Sequence, residues 1–87
     1  MLHKLDYAVI DINSKDAYGN GWTPLFYASD QINVAEFLIC EGAKLNVLDY
    51  DGWTPLDAAI DSNDRAVIDL LRKNGGKTSK QLKAKAE

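Results

Sequence analysis

The pentapeptide Gly-Trp-Thr-Pro-Leu occurs twice, as Gly21–Leu25 and again 31 residues later as Gly52–Leu56. Both tryptophans and both prolines of the 87-residue chain lie in these two copies. Other features recur in step. Ala28 answers Ala59, Phe37-Leu38-Ile39 answers Ile68, Leu70 and Leu71, and Gly42 answers Gly75. Asp11-Ile12-Asn13 echoes Lys44-Leu45-Asn46, and each Asn is followed three residues on by an aspartate, Asp16 or Asp49. Repetition at this period marks a row of small supersecondary units, each of which buries its remaining apolar side on a neighbour.

Each unit reads as turn, short helix, short loop, longer helix, turn. Thr23 and Thr54 suit the N-cap, because a hydroxyl accepts a backbone N–H of the first turn. Pro24 and Pro55 then take the first helical position, where the missing N–H costs nothing. The first helices are expected over 24–30 and 55–62. Asp57 has the spacing to return a bond to Thr54 in a capping box; Phe26, at the matching place, cannot. In the first unit Asn33 and Glu36 have capping-box spacing, so the second helix is expected to start at Asn33. Val34, Phe37, Leu38 and Cys40 or Glu41 would form its stripe, and Gly42 would end it. In the second unit Asp64 caps, Val67, Ile68, Leu70 and Leu71 form the stripe, and Gly75 stops it. Helices this short are unstable alone in water, so they must hold one another. Cys40 is expected to be a small buried residue, and one cysteine forms no disulfide within the chain.

The order Asp, Gly-x-Thr-Pro-Leu, Ala, apolar helix, Gly-Ala-x-x-Asn-x-x-Asp resembles the ankyrin repeat. It is carried by Asp49, Gly52-Trp53-Thr54-Pro55-Leu56 and Ala59, through Leu70-Leu71 to Gly75-Gly76, and by Gly42-Ala43-Lys44-Leu45-Asn46-Val47-Leu48-Asp49 of the preceding unit. The resemblance covers about residues 11–76 and implies an all-α repeat solenoid of helix pairs joined by β-hairpin-type turns. Residues 1–13 read as a partial N-terminal repeat, 14–46 and 47–76 as two ankyrin-like repeats, and 77–87 as a basic C-terminal tail or capping helix. Three departures stand out. Phe26 and Asp57 replace the family's His after Thr-Pro-Leu, so its Thr–His relay is missing. The loop between the first unit's helices is two residues short. The first turn, Asp16 to Gly21, is two residues longer than the second, Asp49 to Gly52, and should project or move more.

Ankyrin-like proteins usually bind partners with the hairpin tips and the exposed face of the first helices. Carried onto this chain, that implicates Lys15, Ala17, Tyr18 and Trp22, with Asp30 and Gln31 on the first helix. In the second unit it implicates Leu48, Tyr50, Asp51 and Trp53, with Asp61 and Ser62. Tyr and Trp in such a set independently favour a binding surface, since they give large contact area at small entropic cost. Mutual packing of Trp22 and Trp53 along the stack is the competing role for those two.

Charge separates along the chain. Up to Leu71 four basic and twelve acidic residues give −8, whereas Arg72 to Glu87 carry six basic and one acidic residue, +5. An acidic body repels nucleic acid and anionic lipid and favours a partner protein with a basic surface. Lys77, Lys80, Lys83 and Lys85 have no aromatic neighbour for base stacking and read as a solubilising cap. Thr78-Ser79-Lys80-Gln81 has capping-box spacing before Leu82. His3 is the only histidine and has no paired nucleophile. Asp49-x-Asp51-Gly52 lacks the third acidic ligand and closing Glu of a calcium loop. No phosphate loop, zinc spacing or apolar run of membrane-spanning length occurs. The sequence therefore predicts a cytoplasmic protein-interaction adaptor with no leader, cofactor or catalysis. The alternative is a structural piece of a longer ankyrin array or an oligomer, with no partner of its own.

Overall fold

The structure is a computed structural model and describes residues 12–16 and 19–86. Among the described residues five helices follow in order: α1 (Pro24–Tyr27), α2 (Ile32–Cys40), α3 (Pro55–Ser62), α4 (Arg65–Lys73) and α5 (Ser79–Ala86). No β-strand occurs among the described residues. The connecting turns close through isolated backbone bonds rather than through ladders. Helix α1 packs on α2 and α3 on α4, and the two pairs lie side by side, α1 against α3 and α2 against α4. This is the all-α repeat solenoid expected from the duplicated pentapeptide. Leu25, Ala28, Ala35, Leu38, Leu56, Ala59, Val67, Ile68 and Leu71 meet in one buried cluster between the pairs. The three- and four-residue spacings within α2, α3 and α4 put these side chains on one face of each helix.

The second unit forms as its local chemistry requires. The Thr54 hydroxyl accepts the Asp57 N–H at 3.2 Å, and the Asp57 carboxylate accepts the Thr54 N–H at 2.9 Å. That is a complete capping box ahead of Pro55. The Asp64 carboxylate accepts the Val67 N–H at 3.2 Å and caps α4. After α4 the chain turns at Gly75, whose φ of 96° is open to glycine and strained for other residues. The last helix starts from a further capping box. The Thr78 N–H donates to Gln81 Oε1 at 2.8 Å, and the Gln81 N–H donates to the Thr78 hydroxyl at 3.1 Å.

The first unit departs from its expected form in four places. Helix α1 ends at Tyr27 rather than near Asp30. The sequence between the two prolyl starts and their following helices is two residues shorter here, and α1 gives up its last turn to make the connection. The same shortage moves the start of α2 to Ile32, with Gln31 as N-cap and no side-chain bond. Asn33 therefore lies inside the helix, and the Asn33–Glu36 box does not form. Thr23 makes no cap either: the Phe26 N–H goes to the Thr23 carbonyl at 3.0 Å, and the buried Thr23 hydroxyl has no hydrogen-bond partner. Finally, Cys40 is exposed. Two residues advance a helix by about 200°, which carries Cys40 off the face set by Leu38.

The same bond, spanning 31 residues, recurs along the stack. The Lys44 N–H donates to Asn13 Oδ1 and the Lys77 N–H to Asn46 Oδ1, each at 2.8 Å. Asn46 also donates to the Gly75 carbonyl at 3.2 Å. The recurrent asparagines thus satisfy backbone groups where one unit hands over to the next.

Candidate functional site

The two turns that precede α1 and α3 lean on one another. In the first, the Asp16 N–H reaches the Trp22 carbonyl at 2.9 Å; in the second, the Asp49 N–H reaches the Trp53 carbonyl at 2.9 Å. Asp49 is buried and organises both. Its Oδ1 accepts the Asp51 and Trp53 N–H groups at 2.9 and 2.8 Å. Its Oδ2 accepts the Trp22 indole N–H at 2.8 Å, across 27 residues. A backbone bond from Tyr50 N–H to the Asn20 carbonyl, 2.8 Å, completes the link. The Tyr50 ring lies over Gly21, where an added Cβ would fall 2.6 Å from a ring carbon. Gly21 therefore serves twice, through its φ of 77° and through this close approach.

Trp22 faces partly inward. Its ring stacks on Phe26 at 5.6 Å and meets Tyr27 edge-on at 5.0 Å. The Tyr27 hydroxyl donates to Asp16 Oδ2 at 2.8 Å. That hydrogen bond, then partial desolvation, then the negative charge of Asp16 raise the Tyr27 pKa above its ordinary value. The expected alternative of Trp22 packed on Trp53 is thus replaced by Trp22 packed within its own unit and bonded to the next unit's aspartate.

The structure brings Leu48, Tyr50, Asp51 and Trp53 together on one turn. All four are exposed, Tyr50 to 60 % and Trp53 to 39 %. Lys15 is exposed beside the first turn, and Ala17 and Tyr18 lie outside the described residues. Asp30 and Gln31 are exposed but sit in the α1–α2 connection, not on a helix, because α1 is short. Asp61 and Ser62 are exposed on the last turn of α3. Ser62 shares a 3.3 Å hydrogen bond with Ser29, so this second group spans both units. The two groups flank opposite ends of α3, about 10 Å apart along its axis at 1.5 Å per residue.

Sequence reasoning missed two neighbours of the first group. Leu82 and Lys83 of α5 line a shallow cavity with Leu48, Asp51 and Trp53. The signal for α5 was present in Thr78–Gln81, but its position against the turn depends on contacts distant in sequence. Among the described residues no cluster of His, Cys, Asp and Glu could hold a metal ion. No described helix is long and apolar enough to cross a membrane.

Comparison with known proteins decides the family. The family model for ankyrin repeats, in three copies, matches residues 1–82. The chain belongs to the ankyrin repeat family. Ankyrin repeats are generally protein–protein interaction modules, and the family is typically non-catalytic. An ankyrin repeat protein of Rickettsia bellii is 36 % identical over 72 residues, covering 80 % of this chain and 42 % of its own length. The RelA-associated inhibitor of Mus musculus is 43 % identical over 42 residues, 48 % of this chain and 5 % of its own. The ankyrin repeat protein FPV244 of Fowlpox virus is 35 % identical over 66 residues, 69 % of this chain and 10 % of its own. The chain thus spans less than half the length of each of these relatives.

Proposed function

We propose that this ankyrin chain is a cytoplasmic protein-binding module whose contact surface is the turn bearing Leu48, Tyr50, Asp51 and Trp53. The observation that carries the reading is the way Asp49 holds that turn. Two backbone N–H groups of the turn bond to one buried carboxylate, and the Trp22 indole anchors that carboxylate to the preceding turn, so large aromatic groups are presented with little ordering left to do on binding. Asp30, Gln31, Asp61 and Ser62 extend the surface at the far end of the first helices and Lys15 beside the first turn; Ala17 and Tyr18, outside the described residues, belong to the proposal from the sequence alone. The acidic body favours a partner with basic residues. Affinity capture from a lysate, with Tyr50→Ala and Trp53→Ala as controls, tests the reading. Both variants should lose the captured partner while keeping the helical circular dichroism of the parent. Retention of the partner by both would overturn the assignment.

A second reading is favoured by one specific contrast. Val67 on α4 is fully buried and Leu70 partly so. Their counterparts 33 residues earlier, Val34 and Phe37 on α2, are 47 % and 62 % exposed. Val67 belongs to the shared core cluster, and Leu70 lies beside Ile39 and Cys40 of the preceding unit's α2. Exposed apolar side chains at the equivalent positions of α2 suit a further repeat stacked upstream, as in a longer array. The division into a partial repeat over 1–13, repeats over 14–46 and 47–76, and a capping segment over 77–87 belongs to the same proposal. An isolated chain that is unfolded, and becomes ordered only when upstream repeats are added, would favour the array.

A further inference from the structure

We propose that α5 supplies the second wall of a peptide-docking groove, and that the groove takes an apolar side chain flanked by one basic and one acidic residue of a partner protein. The inference rests on the binding role assigned above to the Leu48–Trp53 turn and gives that site its ligand class.

The groove is a cavity of about 440 Å³ between this turn and α5. Leu48 and Trp53 form one wall, and Leu82, half-buried, forms the other. The walls are fixed rather than loosely apposed. The Thr54 hydroxyl donates to the Lys77 carbonyl at 2.6 Å, and the Asp57 carboxylate accepts the Ser79 N–H at 2.9 Å. Those two bonds tie the start of α5 to the cap of α3, which directly follows Trp53. The volume left between the walls is at the low end of small-molecule and side-chain pockets. It accommodates a large aliphatic or aromatic side chain together with part of the flanking chain.

Charge decides the flanks. Asp51 lines the groove from the turn and Lys83 from α5. Both are exposed, and neither makes an ion pair among the described residues. Opposite charges thus face one groove without neutralising each other. A segment that brings a basic residue to Asp51 and an acidic residue to Lys83 satisfies both, whereas a segment charged with one sign is attracted at one flank and repelled at the other. Lys83 accordingly acts as a specificity group and not only as a solubilising charge.

Panning a random dodecapeptide library displayed on phage against the immobilised full chain tests this. Recovered sequences should share an apolar residue between residues of opposite charge. Their binding should fall at least tenfold with Lys83→Glu, a surface change that leaves the fold intact, and with Leu82→Asp, whose helicity is checked by circular dichroism. The double variant Asp51→Lys with Lys83→Glu should select sequences equally well without a preference for the parental peptides. Peptides lost with Tyr50→Ala but indifferent to Lys83→Glu and Leu82→Asp would overturn the groove and leave the turn as the binding surface. Absence of any enrichment would overturn both. Concentration-dependent self-association by sedimentation, abolished by Leu82→Asp, would put a second copy of the chain in the groove and overturn the peptide.

Discussion

Thr23 and Thr54 occupy matching positions but are expected to respond oppositely to the same substitution. Valine keeps the shape of threonine and replaces its hydroxyl with a methyl group. At position 54 the hydroxyl accepts the Asp57 N–H and donates to the Lys77 carbonyl. Thr54→Val therefore leaves two backbone groups without partners in a buried place. At about 1–2 kcal/mol for each, the loss is about 2–4 kcal/mol. A chain of this size has a total stability of about 4–13 kcal/mol, so the variant should unfold at distinctly lower urea. Its melting temperature should fall by about 10–25 °C. At position 23 the hydroxyl is buried with no hydrogen-bond partner, and the first turn of α1 is closed by the Thr23 carbonyl instead. Thr23→Val removes an unsatisfied polar atom and should stabilise by about 1 kcal/mol. Urea denaturation of both variants, followed by circular dichroism with a shared m-value, gives the comparison. A Thr23→Val variant destabilised as much as Thr54→Val would show that the Thr23 hydroxyl is hydrogen-bonded and that the two caps are equivalent.

Asp49→Ala leaves three donors unpaired and should cost about 3–4 kcal/mol; adding Trp22→Phe should recover part of that in a double-mutant cycle, and strict additivity would deny the indole bond. Leu71→Ala, in the centre of the core, should destabilise by about 2–5 kcal/mol, whereas Phe37→Ala, exposed on α2, should cost under about 1 kcal/mol in thermal unfolding of the chain alone. Because the Tyr27 pKa is raised on folding, its protonated form is favoured in the native state. The Tyr27–Asp16 contribution is then complete below the unfolded tyrosine pKa of about 10 and is lost as pH rises through the higher folded value. In an ultraviolet titration Tyr27→Phe should remove a step that ionises above the ordinary tyrosine range; loss of a step within the ordinary range instead would exclude the bond.

What could be read in the sequence was local. Thr54 with Asp57, Asp64 before α4 and Thr78 with Gln81 each bond within three residues, so spacing alone identifies them. Helix α3 was expected over 55–62 and spans those residues. The failures arise where geometry between elements decides. The missing two residues after α1 shortened that helix and drew Gln31 into the cap, and no spacing rule for Asn33 and Glu36 contains that constraint. Phe37 and Cys40 look like a core stripe in one dimension, but α2 buries Ala35 and Leu38. At the candidate site, the grouping of Leu48, Tyr50, Asp51 and Trp53 was legible because they follow one turn. The inward role of Trp22 was not, because its partner Asp49 lies 27 residues away. The same holds for Leu82 and Lys83, which meet the turn only through the folded packing.

The unlike residues after the two Thr-Pro-Leu triplets follow from what lies downstream of each unit. After the second unit comes α5, whose first N–H groups need acceptors. Asp57 serves one end of each helix at once, taking the Thr54 N–H of α3 and the Ser79 N–H near the start of α5. After the first unit comes another turn, not a helix start, and it is held by Trp22 donating to Asp49. A carboxylate at position 26 would have no such helix to cap and would be buried beneath the Trp22 ring. Phe26 fills that space and stacks on the indole, which fixes the donor that Asp49 needs. The cost is the solitary hydroxyl of Thr23. Substituting the first unit's residues with those of the second would therefore remove the support of Trp22 without supplying Asp57's second partner. The two units are alike in pattern but not interchangeable.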